Sequence, residues 1–344
     1  MDAPDLDNQS EFEAMPQVLL HKGGERLVVI VKATFLLSRE HAELPLAPPA
    51  LARPIRVTDE MWEKPDVESV RYPSDLCCHK PATDVVGVVT AWAPGGQAVP
   101  QFDTYLRVGQ LARAVRVCGL RVWADRGAGV SAPLPISSLD VRYDFAFGGR
   151  DESDEKRVVE DGRNPVGRGV AREADRLTHV LAPQLEDPGE PVRSAGQRPT
   201  PAAYGAIGRS YLPRRGFTGT YDASWKEYRA PLPPLDEDDR FHQAASPGLI
   251  ASPPLQGGEA CALLNLTPDG PLQFVLPRVR LEILFSVRGR APEVLVPHLD
   301  TVLIDTWAIG PEKPPVLEMV WRASVKAPRK QRDARIVVRE GNPS

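Results

Sequence analysis

The first part of the chain carries short apolar runs, rich in β-branched residues, that are typical of strands. ERLVVIVKATFLLS (residues 25–38) opens the series, and DVVGVVTAWA (84–93) ends at the turn PGG. FDTYLRVG follows, then RAVRVCGLRVWA, which reads as two strands broken at Gly119. SLDVRYDFAFGG (138–149) alternates polar and apolar residues with period two, which favours a half-buried strand. These runs predict a front β region over residues 26–149.

The pattern changes in the middle of the chain. Over residues 150–258 glycine, proline and charge dominate and the periodicity is lost. Such a length without regular structure is too long for a simple connector. It holds several aromatic residues, which disordered segments lack, so we expect an ordered coil packed on the body. These aromatics are Tyr204, Tyr211, Phe217, Tyr221, Trp225 and Tyr228.

Strand patterns resume at residues 259–325, the back β region. EACALLNL and PLQFVLP flank the turn Pro268-Asp269-Gly270 and predict a hairpin. RVRLEILFSVRG, EVLVP, HLDTVLIDTWAI and VLEMVWRASV follow between short turns, as in an antiparallel meander. Residues 1–25 are expected to be an N-terminal tail, and residues 326–344 a basic C-terminal tail.

Helical spacing is scarce, and only DEDDRFHQAA suggests one short helix. The 36 prolines among 344 residues also disfavour helix interiors. The sequence therefore predicts an all-β or β-dominated fold of antiparallel sheets, sandwich-like, with few short helices.

Composition excludes several classes of partner. The net charge is −4, from 42 basic and 46 acidic residues, so no basic field indicates nucleic-acid binding. The longest apolar run is interrupted by Lys32 and is too short to span a bilayer. The N-terminus lacks the apolar segment of a signal peptide. The four unevenly spaced cysteines fit a reducing compartment. We expect a cytoplasmic protein without membrane insertion.

Signatures of catalysis and cofactor binding are missing from the sequence. It has no phosphate-binding loop, no dinucleotide fingerprint, no nucleophile elbow and no H-E-x-x-H. HAE at His41 is half of a deaminase zinc signature, and the other half is absent. Cys77, Cys78 and His79 are consecutive, so their side chains diverge in a strand rather than converge on a metal. We expect no cofactor and no metal.

Two further segments have a functional and a structural interpretation. LDEDDRF (235–241) offers carboxylates but lacks the spacing of a calcium loop, and acids also favour a helix start. DGRNPVGRG (161–169) could bind an anion through its backbone N–H groups, although a tight glycine-dependent turn explains it as well. In both segments the structural interpretation is preferred.

The segment GFTGTYDASWKEYRAPLPP (216–234) is unusually rich in turn and aromatic residues. One interpretation is a structural clasp: Gly216 and Gly219 give backbone freedom, Asp222 caps a short turn, and Trp225 plugs the body beneath. Pro231 then stops the helix. The alternative is an exposed Trp225 that acts as a binding hot spot or as a sugar platform. A sugar site would contain Asp222 and Trp225, and hydrolysis would need a second acid from residues 236–239.

A series of motifs resembles the bacterial family named domain of unknown function twenty-one sixty-nine, the type VI secretion effector adaptors. The motifs occur in order over most of the chain, from Leu27 to about Pro277. They are VVIVKATFLL (28–37), DLCCHKPATDVVGVVTAWAPGG (75–96), YDFAFGGRD (143–151), NPVGRG (164–169), the stretch 203–245 and LQGGEACALLNLTPDGPLQFVLP (255–277). The chain departs at Tyr204 and Tyr211, where the family has phenylalanine and tryptophan, and at Leu235–Asp238.

The resemblance implies a non-enzymatic adaptor or chaperone. Such a protein binds a secreted effector in the cytoplasm and helps to load it onto a VgrG-type spike with a PAAR-type tip. A carbohydrate-active hydrolase or a carbohydrate-binding module is the alternative. The motif residues expected to be structural or partner-binding are Lys80, Asp84, Gly148, Gly149, Asn164, Gly167, Arg214, Tyr221, Asp222, Trp225 and Arg240.

Overall fold

The computed structural model describes residues 4–40, 43–64 and 67–341, so the HAE motif at His41 lies outside the described residues. Strands dominate. The first eleven are β1 (Asp5–Asn8), β2 (Glu13–His21), β3 (Gly24–Leu36), β4 (Glu60–Met61), β5 (Val70–Tyr72), β6 (Thr83–Trp92), β7 (Gln101–Val108), β8 (Leu111–Cys118), β9 (Ser138–Asp140), β10 (Phe147–Gly148) and β11 (Arg150–Asp151). The next eleven are β12 (Val159–Glu160), β13 (Arg168–Gly169), β14 (Leu185–Glu186), β15 (Ile250–Ala251), β16 (Ala260–Leu264), β17 (Leu272–Val275), β18 (Leu281–Val287), β19 (Glu293–Leu295), β20 (His298–Thr306), β21 (Val316–Lys326) and β22 (Ala334–Glu340).

Helical structure is short. One α-helix, α1 (Ala223–Tyr228), is described. Single 3-10 turns lie at Pro94–Gly96, Asp125–Gly127, Tyr143–Phe145, Ala174–Leu177, Ala195–Gln197, Arg214–Phe217, Asp239–His242 and Gln331–Asp333. The β-dominated fold is confirmed, and the short helix predicted in DEDDRFHQAA is one such 3-10 turn, Asp239–His242.

The largest sheet runs in the order β15-β6-β20-β21-β3-β2, with β9 also paired to β6. Its pairs are antiparallel except β6 with β20, which is parallel. A five-stranded antiparallel sheet has the order β14-β8-β7-β16-β17, and a four-stranded sheet the order β1-β22-β18-β19. The three sheets share one apolar core, which contains buried side chains from each of them.

The sheets join parts of the chain that the sequence pattern separates. Strands β3 and β6 of the expected front region share the largest sheet with β20 and β21 of the back region. Both expected tails also contribute strands. β2, which lies within residues 1–25, extends the largest sheet by pairing with β3. β22, which lies within residues 326–344, pairs with β18. Strands therefore pair across the predicted regions and not only within them. A local sequence pattern predicts where a strand lies but not which distant strand it pairs with.

The single strand predicted for SLDVRYDFAFGG is wrong, because only its two ends are strands, as β9 and the two-residue β10. β9 ends at Asp140, and a 3-10 turn over Tyr143–Phe145 follows. The Asn164 amide donates to the carbonyls of Tyr143 and Phe147, both at 2.9 Å. The Asn164 side chain thus satisfies two backbone acceptors of this segment, which does not continue as one strand from β9 to β10.

The ordered coil predicted for the middle segment is confirmed. Tyr204 is fully buried, and its hydroxyl lies 2.9 Å from the Thr104 hydroxyl of β7. A Cβ on Gly87 of β6 would lie 2.8 Å from the Cβ of Tyr204, so this coil lies directly on the sheet. β15 then adds two residues of the coil to the edge of β6.

One face of the largest sheet buries charge instead of apolar side chains. Lys32 of β3 and Glu318 and Arg322 of β21 lie on the face opposite the main core, beneath the loop that carries Arg56 and Asp75. We call these residues, with Lys80, Asp84 and Asp300, the ionic face. It contains four cations and four carboxylates, namely Lys32, Arg56, Lys80, Arg322, Asp75, Asp84, Asp300 and Glu318.

Hydrogen bonds connect the ionic face into a single network. The Lys32 ammonium lies 2.9 Å from Asp75 and 2.8 Å from Glu318. The Glu318 carboxylate accepts hydrogen bonds from both terminal nitrogens of Arg56, at 2.5 and 2.8 Å. Because formal charges cancel and every carboxylate has a cation, the burial cost of the individual ions is offset within the network.

The other half of the network crosses to β20 and β6. Arg322 pairs with Asp300 at 2.5 Å and also donates to the backbone carbonyl of Asp75. The register of β20 shifts at Asp300, which fits a local bulge. The Thr301 hydroxyl donates to Asp300 and accepts from Lys80, each at 2.8 Å.

We expect Glu318→Gln to destabilise the protein by about 3–5 kcal/mol, because it leaves two buried cations short of one carboxylate. The control is Glu282→Gln, which breaks a surface pair with Arg339 at 2.7 Å and should cost about 0–1 kcal/mol. Urea unfolding of the two variants measures the difference. Equal losses would show that the ionic face does not hold the sheet.

Acid should weaken the same network. Burial opposes ionisation of Glu318, but the Lys32 and Arg56 charges outweigh it and lower its pKa to about 2. A lowered carboxyl pKa stabilises the fold above the unfolded pKa of about 4.3 and stops doing so as pH falls to about 2. Unfolding followed between pH 5 and pH 2 should show a decline that is shallower in Glu318→Gln.

Candidate functional site

Lys80 and Asp84, two of the motif residues, belong to the ionic face rather than to an open site. Their charged groups lie 2.8 Å apart and both side chains are buried. Asp84 also accepts from the Gln243 amide at 2.6 Å and from the backbone N–H of Ala244 at 2.8 Å. This pair therefore attaches the end of the middle segment to β6.

Gly148, Gly149, Asn164 and Gly167 form a packed junction between two turns. Gly148 and Gly149 have φ angles of 144° and 118°, a region that favours glycine. A Cβ on Gly148 would lie 2.1 Å from the Asn164 carbonyl, and one on Gly167 2.4 Å from the Asn164 amide nitrogen. The close packing around Gly167 fits the tight glycine-dependent turn expected at residues 161–169.

The remaining motif residues gather around residues 216–238, which we call the aromatic loop. Gly219 closes it, with φ 79° and no room for a Cβ beside Pro234 and Glu237. Asp236 accepts from the backbone N–H of Thr220 at 3.0 Å and from its hydroxyl at 2.7 Å. The backbone freedom predicted at Gly219 is confirmed, whereas Gly216 lies in the 3-10 turn Arg214–Phe217 and its φ is not positive.

Asp222 is the N-cap of α1, as the sequence predicts. Its carboxylate accepts from the backbone N–H of Trp225 at 2.8 Å. The helix ends at Tyr228, before Pro231. A side-chain cap of this kind satisfies one of the free N–H groups in the first turn.

Trp225 does not plug the body, so that expectation is wrong. The side chain is half-buried, and its ring packs edge-on against Tyr221 with centroids 4.6 Å apart. Its indole N–H donates to the carbonyl of Leu232 at 2.9 Å. Trp225 thus connects α1 to the proline-rich end of its own loop. Its ring contacts the loop rather than the core of the protein.

The aromatic loop is fixed to the turn between β2 and β3. Arg229 donates to the carbonyls of Lys22 and Pro233, and the Lys22 ammonium donates to the Glu237 carbonyl at 3.0 Å. Asp239 lies 3.6 Å from the Lys22 ammonium. These contacts hold the loop in one place relative to the largest sheet.

The outer side of this braced loop presents large side chains to solvent. Tyr228 is 78% exposed, Leu235 73% and Tyr221 55%. Tyrosines on a rigid support lose little conformational entropy on binding and are enriched in the energetic centres of protein interfaces. The loop can therefore act as a docking surface for another protein.

An apolar pocket of about 370 Å³ adjoins the base of the loop. Arg214 lies in its wall, and we call it the Arg214 pocket. Arg240 stacks over the Phe217 ring at 4.3 Å and pairs with Asp238 at 2.7 Å. The lining of the Arg214 pocket includes Pro81, Pro213, Arg214, Phe217, Arg240 and Ile250.

The acids of the loop maintain its structure. Asp222 caps α1, Asp236 closes the loop, Asp238 caps the turn Asp239–His242, and Asp239 faces His21 and Lys22. Glu237 is nearly buried, and burial raises its pKa, helped by the nearby Asp239. The contacts of Asp222, Asp236 and Asp238 are thus explained by the structure of the loop itself.

Histidines that are distant in the sequence also meet. The rings of His79 and His298 are 5.6 Å apart in an edge arrangement, and His298 Nε2 lies 2.9 Å from the Lys80 carbonyl. Burial and the neighbouring His298 lower the pKa of His79. Across residues 4–40, 43–64 and 67–341, no group of three His, Cys, Asp or Glu side chains is placed to hold a metal ion. The described chain also has no helix long and apolar enough to cross a membrane.

Sequence patterns miss the exposure of Tyr228 and Leu235, because nothing in a loop sequence shows which side faces solvent. They also miss most of the ionic face. A signal for it exists, since Lys32, Glu318 and Arg322 interrupt otherwise apolar strands. Charges at such positions are rarely fully buried unless they are paired.

We expect Asp222→Ala to cost about 1 kcal/mol of stability through loss of the cap. Trp225→Ala should cost less than the 3–5 kcal/mol of a fully buried aromatic, because its ring remains partly in solvent. Glu227→Ala, an exposed change in the same helix, is the control. Thermal unfolding measures all three, and a Trp225→Ala loss in the full-burial range would restore the plug interpretation.

Comparison with known proteins identifies a family. The family model described as "Uncharacterized protein conserved in bacteria (DUF2169)" matches residues 22–322. No curated protein and no solved structure matches the chain. The matched region contains the ionic face, the glycine junction, the Arg214 pocket and the aromatic loop. The chain therefore belongs to this bacterial DUF2169 family.

Proposed function

We propose that this protein is a non-enzymatic adaptor or chaperone for a secreted effector. It binds a type VI secretion effector in the cytoplasm and helps to load it onto a VgrG-type spike or PAAR-type tip. The proposal rests on the motif resemblance together with one structural observation. That observation is the braced aromatic loop, which presents Tyr221, Tyr228 and Leu235 to solvent on a fixed support.

The arrangement of the loop suits binding better than chemistry. Three of its acids, Asp222, Asp236 and Asp238, are engaged in capping and closing contacts. Its exposed groups include the large side chains of Tyr221, Tyr228 and Leu235. Protein interfaces draw much of their energy from a few such side chains. A pre-organised loop also avoids the entropic cost of ordering on association. Both features favour a partner that docks as a folded or extended protein surface.

Edge strands offer a second element of such a surface. β2 ends the largest sheet on one side, and the aromatic loop is attached to the turn that follows it. Unpaired edges can accept a strand of a partner chain. The loop and the edge of β2 thus lie side by side, which would allow one partner to contact both.

We expect Tyr228→Ser combined with Leu235→Ser to weaken co-purification of effector or spike components from native cells at least tenfold. The control is Leu134→Ser, which removes a side chain of similar exposure, 60%, far from the loop in sequence. Quantitative mass spectrometry of the tagged proteins gives the readout, with circular dichroism to confirm equal folding.

Two results would contradict the proposal. One is repeated recovery of neither effector nor spike component with the unaltered protein. The other is cleavage or binding of a glycan by the purified protein, lost in Asp222→Ala or Trp225→Ala while the fold persists. The second result would instead support the carbohydrate-active alternative.

A further inference from the structure

Arg214 is a buried cation without a carboxylate. Only 5% of it is exposed, and it donates from Nη1 to the Ile207 carbonyl at 2.6 Å and from Nε to the Phe241 carbonyl at 3.0 Å. The described residues form no salt bridge with it. Two neutral carbonyls leave its positive charge uncompensated at short range.

The contrast with other buried cations is clear within the described residues. Five further Lys and Arg side chains are nearly fully buried, and each has a carboxylate at 2.5–2.8 Å. These are Lys32, Arg56, Lys80, Arg121 and Arg322. An unpaired charge in such a place is costly. Burial lowers the pKa of Arg214 to about 10, so the group is still cationic at neutral pH.

The Arg214 pocket has a second property that indicates a ligand. Apart from its two arginines and two small polar side chains, its lining is apolar, with Pro81, Phe217 and Ile250 among the contributors. Its volume of about 370 Å³ is near the lower end of the range for ligand pockets. Ile250 belongs to β15, which pairs with β6 on one side and ends the largest sheet on the other.

We infer that the Arg214 pocket takes the C-terminal residue of a peptide, with its free carboxylate at Arg214 and an aliphatic side chain against Phe217 and Ile250. A C-terminal residue carries both groups on one Cα, so it supplies the missing charge and the apolar surface within a small volume. Arg binds carboxylates through a planar fork, often with two hydrogen bonds. The preceding residues could pair with the free edge of β15.

This inference rests on the proposed function, because it gives the chemistry of one partner segment. The first test uses two small probes with the full-length protein at pH 7 in a buffer free of carboxylates. N-acetyl-leucine should bind with a dissociation constant on the order of 1 mM. N-acetyl-leucinamide, which lacks the charge, should bind at least tenfold more weakly. Saturation-transfer NMR measures both, and equal binding of acid and amide would overturn the inference.

A second pair of probes separates the two sources of a peptide carboxylate. Acetyl-Gly-Ser-Gly-Ser-Leu with a free C-terminus should bind more tightly than acetyl-Gly-Ser-Glu-Ser-Leu amide, whose carboxylate is on a side chain. The reverse order would overturn the assignment to a C-terminus.

Variants assign the binding to this pocket. Arg214→Gln keeps hydrogen-bond donors but removes the charge, so it should abolish the difference between acid and amide. Arg215→Gln is the matched control: Arg215 is the next residue, is exposed, and pairs with Glu160 at 3.1 Å. Should Arg214→Gln fail to fold, Phe217→Ala tests the apolar wall and should weaken N-acetyl-leucine binding at least threefold. Unchanged binding in a folded pocket variant contradicts the inference.

The two proposals fail independently. Absence of acid binding with intact co-purification would remove the carboxylate site and leave the adaptor role. Acid binding without any recovered effector or spike component would keep the site and remove that role.

Discussion

The balanced set of buried charges on one face of the largest sheet is the constraint on which the other parts depend. A covered face of a sheet ordinarily buries apolar side chains. The face of the largest sheet that packs on the main core does so. The ionic face instead requires a cation for each carboxylate. The loop from Arg56 to Lys80 supplies three of its eight members, Arg56, Asp75 and Lys80. Removing any one member leaves the buried network with an unbalanced charge. The loop is therefore held by position-specific contacts rather than by general apolar burial.

The same network determines where the candidate site lies. Asp84 pairs with Lys80 and also binds Gln243 and Ala244, which lie just after the turn that carries Arg240. Arg214 donates to Phe241 in that turn. A chain of contacts thus runs from the ionic face to the wall of the Arg214 pocket. A substitution in the ionic face should therefore alter the geometry of the Arg214 pocket through these few hydrogen bonds.

The sequence predicts the parts of this structure that depend on local pattern. Most strand positions follow from β-branched runs, and the Asp222 cap and the end of α1 follow from local turn chemistry. It does not predict partners that are distant in the chain, such as the parallel pairing of β6 with β20. The failure between β9 and β10 has the same origin, because Asn164, which lies outside the segment, supplies hydrogen bonds to the Tyr143 and Phe147 carbonyls. The prediction that Trp225 plugs the body fails for a related reason. The residue type indicates that the side chain favours burial but not which surface buries it.

Within the described residues, the two halves of the motif set differ in how they use their side chains. Lys80 and Asp84 form a buried ion pair inside the body, and the amide nitrogen of Asn164 donates to two backbone carbonyls there. Arg214 and Tyr221 keep unused capacity, one as an unpaired charge at a pocket and the other as an exposed ring. Unused polar or aromatic capacity on a rigid support costs stability and gives the fold nothing in return. Lys80 and Asp84 differ in this respect, since their charged groups are buried and paired, and this difference supports the proposed binding role.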